Sequence, residues 1–173
     1  MSKRILVTGG GKGVGAAIVR ALAQAGYDVD FTYRSSADAA KALAQELVDA
    51  HPGVSVNGFA LDLADKEAIE AFCERIEGEG YYGFIHNAGQ PYDALTAMMA
   101  QDKAEAAMQV NFWAFTRLAK ALMRGMLRAR SGRIVAIGSV AALQATAGNA
   151  AYAASKGALI SYARTLAIET AKR

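Results

Sequence analysis

Apolar runs of strand length alternate with stretches of helical periodicity from one end of the chain to the other. RILVTG leads into GVGAAIVRALAQAG, YDVDFTYR into SADAAKALAQELVDA, and VSVNGFALD into DKEAIEAFCERIEG. YGFIHNAG then precedes a long helical pattern over about residues 102–128, GRIVAIGS follows, and a last helix runs from about Asn149 to the end. Strands joined by crossover helices pair in parallel through right-handed units, with helices on both faces and ligands at the carboxyl ends of the strands. The pattern predicts a doubly wound α/β parallel sheet of five strands, near residues 3–8, 28–34, 54–61, 82–86 and 133–138.

Composition narrows this further. At 173 residues, with 53% hydrophobic and 20% charged positions, the chain can bury one sizeable core, so residues 1–173 are expected to form a single domain. The start MSKRILVTGG moves straight into a strand, and no apolar run is long enough to cross a bilayer; the expected compartment is the cytoplasm, with no membrane partner. Cys73 has no partner for a disulfide or a metal and reads as a buried small apolar residue; no metal is expected. A net charge of +3 without a basic aromatic surface argues against a nucleic-acid partner, and the basic cluster from Arg124 to Arg133 reads as a solvated helix end.

The first strand-to-helix junction, VTGGGKGVGAAI, carries glycines at 9, 10, 11, 13 and 15. A glycine-rich turn that opens a helix lets the backbone approach a pyrophosphate, and the helix end supplies N–H groups and partial positive charge. Gly9, Gly11, Lys12, Gly13, Val14 and Gly15 are therefore candidate dinucleotide contacts. The second strand ends in FTYRSS. Asp28 and Asp30 fall too early to hold a ribose, whereas Arg34 and Lys12 can both face a 2′-phosphate, so the expected cofactor is NADP(H). After the third strand, Asp62 and Leu63 lie where an adenine would rest, and Asp65 is the better placed helix cap. In IHNAGQP, Asn87 can brace neighbouring backbone, while Ala88 and Gly89 leave room for a flat ring or ribose.

NAAYAASKGALIS sets Tyr152 four residues before Lys156, on one face of a helix, where an ammonium would favour a phenolate. Ser139, at the end of the fifth strand, brings a hydroxyl to the same edge.

Together these residues resemble the short-chain dehydrogenases/reductases. TGGGKGVG matches that family's cofactor loop, NAG its sheet-bracing motif, and Ser139, Tyr152 and Lys156 its catalytic residues. The resemblance covers the whole chain and implies a Rossmann-type sheet in the order 3-2-1-4-5. It also makes Asn111, in AAMQVNFWAFTRLAK, a fourth catalytic residue on a kinked stretch of helix; the residue pattern alone reads it as a tolerated polar position. The implied reaction is hydride transfer from the nicotinamide to a carbonyl. Tyr152 would give the oxygen its proton, Ser139 would polarise it, Lys156 would lower the tyrosine pKa and grip the ribose, and Asn111 would hold a water leading to Lys156. His86 stands where the family commonly has asparagine and reads as a tolerated variant.

Within the family, RSGRIVAIGSVAAL and GNAAYAASKGALISYARTLAIE look most like 3-oxoacyl-(acyl-carrier-protein) reductases, whose substrate is a β-keto thioester on an acidic carrier protein. Arg128, Arg130 and Arg133 would then face that partner. A reductase of another small ketone or sugar, and a non-catalytic dinucleotide-binding module, are the alternatives; retention of all four catalytic residues favours an enzyme. The family commonly assembles through its long helices, so a homo-oligomer, dimer or tetramer, is expected. After ARTLAIETAKR the family continues with a sixth strand, substrate-covering helices and a seventh strand. The chain is thus expected to be an N-terminal fragment cut after Lys172 and Arg173, whose own missing segment would cover the exposed edge; a naturally short protein is the alternative.

Overall fold

The computed structural model describes residues 3–171. Lys172 and Arg173, on which the expected protease cut rests, lie outside the described residues. Five strands, β1 (Arg4–Thr8), β2 (Asp28–Tyr33), β3 (Val56–Ala60), β4 (Gly83–His86) and β5 (Arg133–Ala136), form one sheet in the order β3-β2-β1-β4-β5. Every pairing is parallel. The carboxyl ends therefore share one edge, and the chain reverses direction from sheet growth on one side of β1 to growth on the other between β1 and β4, which opens a crevice there.

Alternation along the strands sorts the core into two layers. Leu6 and Phe84 point to the layer that holds α3 (Lys66–Ile76) and α5 (Ala114–Ala129), with Ile69, Phe72, Phe115 and Leu118. Ile5, Val7, Val29 and Phe31 point to the other, with Val19 of α1 (Gly13–Gln24) and Leu43 and Leu47 of α2 (Ala37–Ala50). Each layer buries apolar strand positions on a helix stripe, which is the main term holding such a sheet together.

The helical pattern expected over about residues 102–128 is interrupted at Asn111, where the family resemblance implies a kink: α4 (Gln101–Met108) runs into a π-turn at Gln109–Trp113 before α5 begins, and Ala114 N–H bonds back five residues to Gln109 O. Cys73 is half-buried rather than buried; it lies at the margin of the α3 layer, and burial still pushes its thiol up to about 11, away from reactivity. The last helix, α6 (Ala150–Thr170), begins one residue after the expected Asn149.

Asp28 and Asp30 fall at and near the start of β2, far from the ligand edge. The Asp30 carboxylate is consumed there: it accepts from Tyr81 Oη at 2.5 Å and from Asn57 Nδ2 at 2.9 Å.

Candidate active site

The glycine loop between β1 and α1 is shaped from below by Asn87, the residue after β4. Its Nδ2 donates to Thr8 O at 3.2 Å and to Gly9 O at 3.1 Å. The loop then passes so close to itself that a Cβ on Gly15 would stand 2.0 Å from Gly9 O and 2.6 Å from Asn87 Nδ2. Only glycine fits. Gly13 opens α1 at φ +54° with nothing within 4 Å of its Cβ position, so the helix start faces open space. Lys12, the N-cap, makes no side-chain cap bond, and the first turn holds no acidic residue.

A cavity of about 570 Å³ lies over this loop. All twelve residues expected from the loops after β1 to β4 line it, from Gly9 and Lys12 through Arg34, Asp62 and Leu63 to Asn87, Ala88 and Gly89. Lys12 and Arg34 are exposed and enter no ion pair among the described residues. Asp65 caps α3 by accepting from Ala68 N at 3.0 Å, as expected, whereas Asp62 accepts from Ala64 N at 2.9 Å through one oxygen. Uncapped helix N–H groups, open space above Gly13 and two unpaired cations suit a phosphorylated dinucleotide.

A second cluster adjoins the cavity at Gly89. A Cβ there would lie 3.5 Å from both Asn111 Oδ1 and Lys156 Nζ, so both side chains approach Gly89 beside the cavity rather than within its wall. Asn111, at the centre of the π-turn, is fully buried. It accepts from Gln90 N at 2.7 Å and donates to Gln90 O at 3.0 Å and Ser155 Oγ at 2.8 Å. Ser155 Oγ in turn donates to Tyr152 O at 2.7 Å. Lys156 is 2% exposed, its Nζ donates to Ile137 O at 2.8 Å, and burial lowers its pKa from the usual lysine value.

Tyr152 lies half-buried in the first turn of α6. Ser139 does not end β5, as expected, but follows it by three residues. It caps a short 3-10 turn, Val140–Ala142, its Oγ accepting from Ala141 N at 3.2 Å, and that turn packs on α6. Ser155 and Gln90 escaped the sequence reading. For Ser155 a signal existed: Tyr152, Ser155, Lys156 and Leu159 recur at helical spacing, and the last three are the buried residues of α6.

His86 is the other surprise. It is fully buried, and desolvation first, then the Lys156 charge, holds its imidazole down at about 3. A folded-state pKa below the usual 6.5 means that the unfolded chain binds the extra proton first, so stability is complete above about pH 6.5 and falls as pH drops toward 3. Urea unfolding at pH 7 and pH 4 should show a loss of a few kcal/mol, and His86→Gln should lose clearly less across the same interval.

The basic cluster separates from all of this. Arg124 pairs with Glu77 at 2.8 Å, while Arg128, Arg130 and Arg133 are exposed at the end of α5 and the start of β5. Six residues of extended chain separate Arg133 from Ser139, on the order of 20 Å.

The short chain dehydrogenase family model matches residues 3–173. The chain belongs to that family. Among curated relatives, the 3-oxoacyl-(acyl-carrier-protein) reductase FabG of Vibrio cholerae is 36% identical over 173 residues, which cover 99% of this chain and 68% of the relative. The reductase of the same name from Escherichia coli K12 is also 36% identical, over 99% of this chain and 68% of that one. Among solved structures, a short-chain dehydrogenase from Sphingobium yanoikuyae in complex with NADPH superposes with a TM-score of 0.92 at 27% identity, over 98% of this chain and 66% of that one. An actinorhodin polyketide ketoreductase with NADPH gives 0.88 at 29%, over 98% and 66%. As a short-chain dehydrogenase the chain is an oxidoreductase by family. Among the described residues no helix is long and apolar enough to cross a membrane.

Proposed function

We propose that this chain is an NADPH-dependent carbonyl reductase whose substrate is a 3-oxoacyl thioester carried on acyl-carrier protein. The observation that carries the reaction is the approach of both Asn111 and Lys156 to Gly89, which lines a cavity shared with a glycine loop and unpaired cations. The thioester substrate rests on the names of the FabG relatives at 36% identity. The NADPH complexes of two structural neighbours support the cofactor.

Gly9 to Gly15 and the N–H groups of α1 would hold the pyrophosphate, Asp62 and Leu63 would border the adenine, and Asn87 to Gly89 would border the nicotinamide half. When bound, the nicotinamide supplies the hydride. The rest is proton handling by the chain. Tyr152 donates its phenolic proton to the oxygen that gains negative charge, and Ser139 donates a hydrogen bond to the same oxygen. The Lys156 ammonium, held by Ile137 O, stabilises the phenolate left behind. Asn111 fixes Gln90 and Ser155 and so keeps the lysine pocket in register with the cofactor edge.

Lys12 and Arg34 would meet the 2′-phosphate. Arg34→Ala should weaken NADPH binding about 10- to 100-fold, the worth of a charge-assisted contact, and leave NADH binding within about twofold. Fluorescence titration of both nucleotides reads this directly.

One sheet flanked by two helix layers supports reading residues 1–173 as a single dinucleotide-binding domain. Exposed Trp113, at the end of the π-turn, supports assembly into a homo-oligomer. The test of the reading is NADPH oxidation with a β-keto thioester presented free and on acyl-carrier protein. Activity that requires Tyr152 and prefers the carrier-bound form supports it. Activity equal in Tyr152→Phe removes it.

A further inference from the structure

Consecutive residues of the π-turn reach different parts of the site, and no step above uses the first of them. Gln109 opens the turn, and its carbonyl closes it by accepting from Ala114 N. Its side chain is buried, at 6% exposure, and reaches the loop after β3, where Nε2 donates to Leu63 O at 3.3 Å. Leu63 O can only accept, so the atom facing it is the amide nitrogen. Val110 lines the cavity together with Leu63, and both belong to one apolar cluster. Asn111 donates to Ser155 Oγ at 2.8 Å, and Ser155 Oγ donates to Tyr152 O at 2.7 Å. The turn is thus bonded on one side to the loop proposed to border the adenine, and on the other to the helix that carries Tyr152 and Lys156.

Packing alone does not call for an amide at this position. Gln109 Oε1 is enclosed without a partner, a cost that a methionine of similar length would avoid. Against that cost stands the bond to Leu63 O, which joins residues 46 apart. A π-turn departs from the register of the helix around it, and side chains bonded to both sides of the turn hold it there.

We infer that Gln109 is a positioning residue that couples the adenine end of the cavity to the catalytic helix: its amide ties the π-turn to the Leu63 loop, so the turn opens only by releasing that loop. The place of the adenine rests on the dinucleotide reading; the tie rests on the hydrogen bond.

Amide hydrogen exchange tests the tie and the coupling separately, in the parent and in Gln109→Met, which keeps apolar packing and removes the donor. In the ligand-free proteins, Ala114 N–H and Lys156 N–H should exchange about tenfold faster in Gln109→Met, the worth of one buried hydrogen bond. Unchanged exchange at both overturns the tie. The adenosine end is then filled with 2′,5′-ADP, which carries the adenine and the 2′-phosphate without the nicotinamide. At about a hundred times the dissociation constant, an opening that empties the site is slowed by up to about a hundredfold, and one that leaves the ligand in place is not slowed. Ala114 and Lys156 should be slowed by at least about tenfold in the parent and by less than about twofold in Gln109→Met, while amides of β1 are slowed equally in both. Binding without protection of Ala114 and Lys156 in the parent, or equal protection in both proteins, overturns the coupling. A parent that does not bind 2′,5′-ADP overturns the dinucleotide reading and the coupling with it, whereas the ligand-free comparison still decides the tie.

Reduction kinetics give a further readout. Gln109→Met should keep KM for NADPH within about threefold and lose about tenfold in kcat, as expected for a small misplacement of the reacting groups. Gln109→Glu, whose buried carboxyl is protonated at about pH 6 and then donates as the amide does, should recover most of that loss there. Unchanged kcat in Gln109→Met, or an equal loss in Gln109→Glu at that pH, removes the positioning role.

Discussion

Tyr152→Phe is expected to lower kcat for carbonyl reduction by about a thousandfold, within the range that a positioned general acid contributes. NADPH affinity should stay within about threefold, because the cavity over the glycine loop is lined by other residues. Single-turnover measurement with saturating NADPH separates the two quantities. The phenyl ring keeps the apolar contacts of the first turn of α6 and removes only the hydroxyl, so the fold should be intact by circular dichroism. A loss in kcat shared with a matching loss of nucleotide affinity would point to a collapsed cleft and withdraw the acid role from Tyr152.

The second large effect belongs to Gly15→Ala. The added methyl would meet a carbonyl oxygen at 2.0 Å and an amide nitrogen at 2.6 Å, and neither can give way without moving the loop or releasing Asn87. We expect a destabilisation of about 2–4 kcal/mol by urea unfolding, typical of overpacking against backbone. NADPH affinity should fall by at least about tenfold, since the loop that bends around the pyrophosphate is displaced. Gly13→Ala is the control. Its Cβ would enter open space, and only the φ of +54° opposes it, a cost of about 1–2 kcal/mol. Equal effects at the two positions would show that backbone conformation, and not close packing, dominates the loop.

The sheet was legible because its signals are local and repeated. Five apolar runs separated by helical spacing admit few other arrangements, and Asn87 could be read as a brace from its chemistry and place alone. The strand ends were less legible. β3 begins at Val56 and ends at Ala60, inside the expected span, because an edge strand pairs only as far as β2 offers partners. Ser139 was read as the strand's end, yet the backbone leaves the ladder after Ile137 bonds to His86 O, a choice made by β4.

Side-chain networks were the least legible part. The inward spacing of Ser155 was visible in hindsight, but its partner Asn111 lies 44 residues away. The sequence pattern reads His86 as a tolerated exchange for asparagine, and only the fold reveals that it is fully buried, with Nδ1 on Thr8 Oγ1 and Nε2 enclosed without a partner. Periodicity announces which face of an element is buried; it carries no information about what a buried polar atom will find there.

The Asn87 amide has a further consequence, for the order of folding. Its bonds to Thr8 O and Gly9 O join residues 79 and 78 positions apart. No segment confined to the first strand, helix and second strand can hold the glycine loop in its final shape, because closing that long loop comes with the pairing of β1 and β4. Nucleotide affinity during refolding therefore reports the completion of the central sheet, and lags behind any signal from the first helix alone.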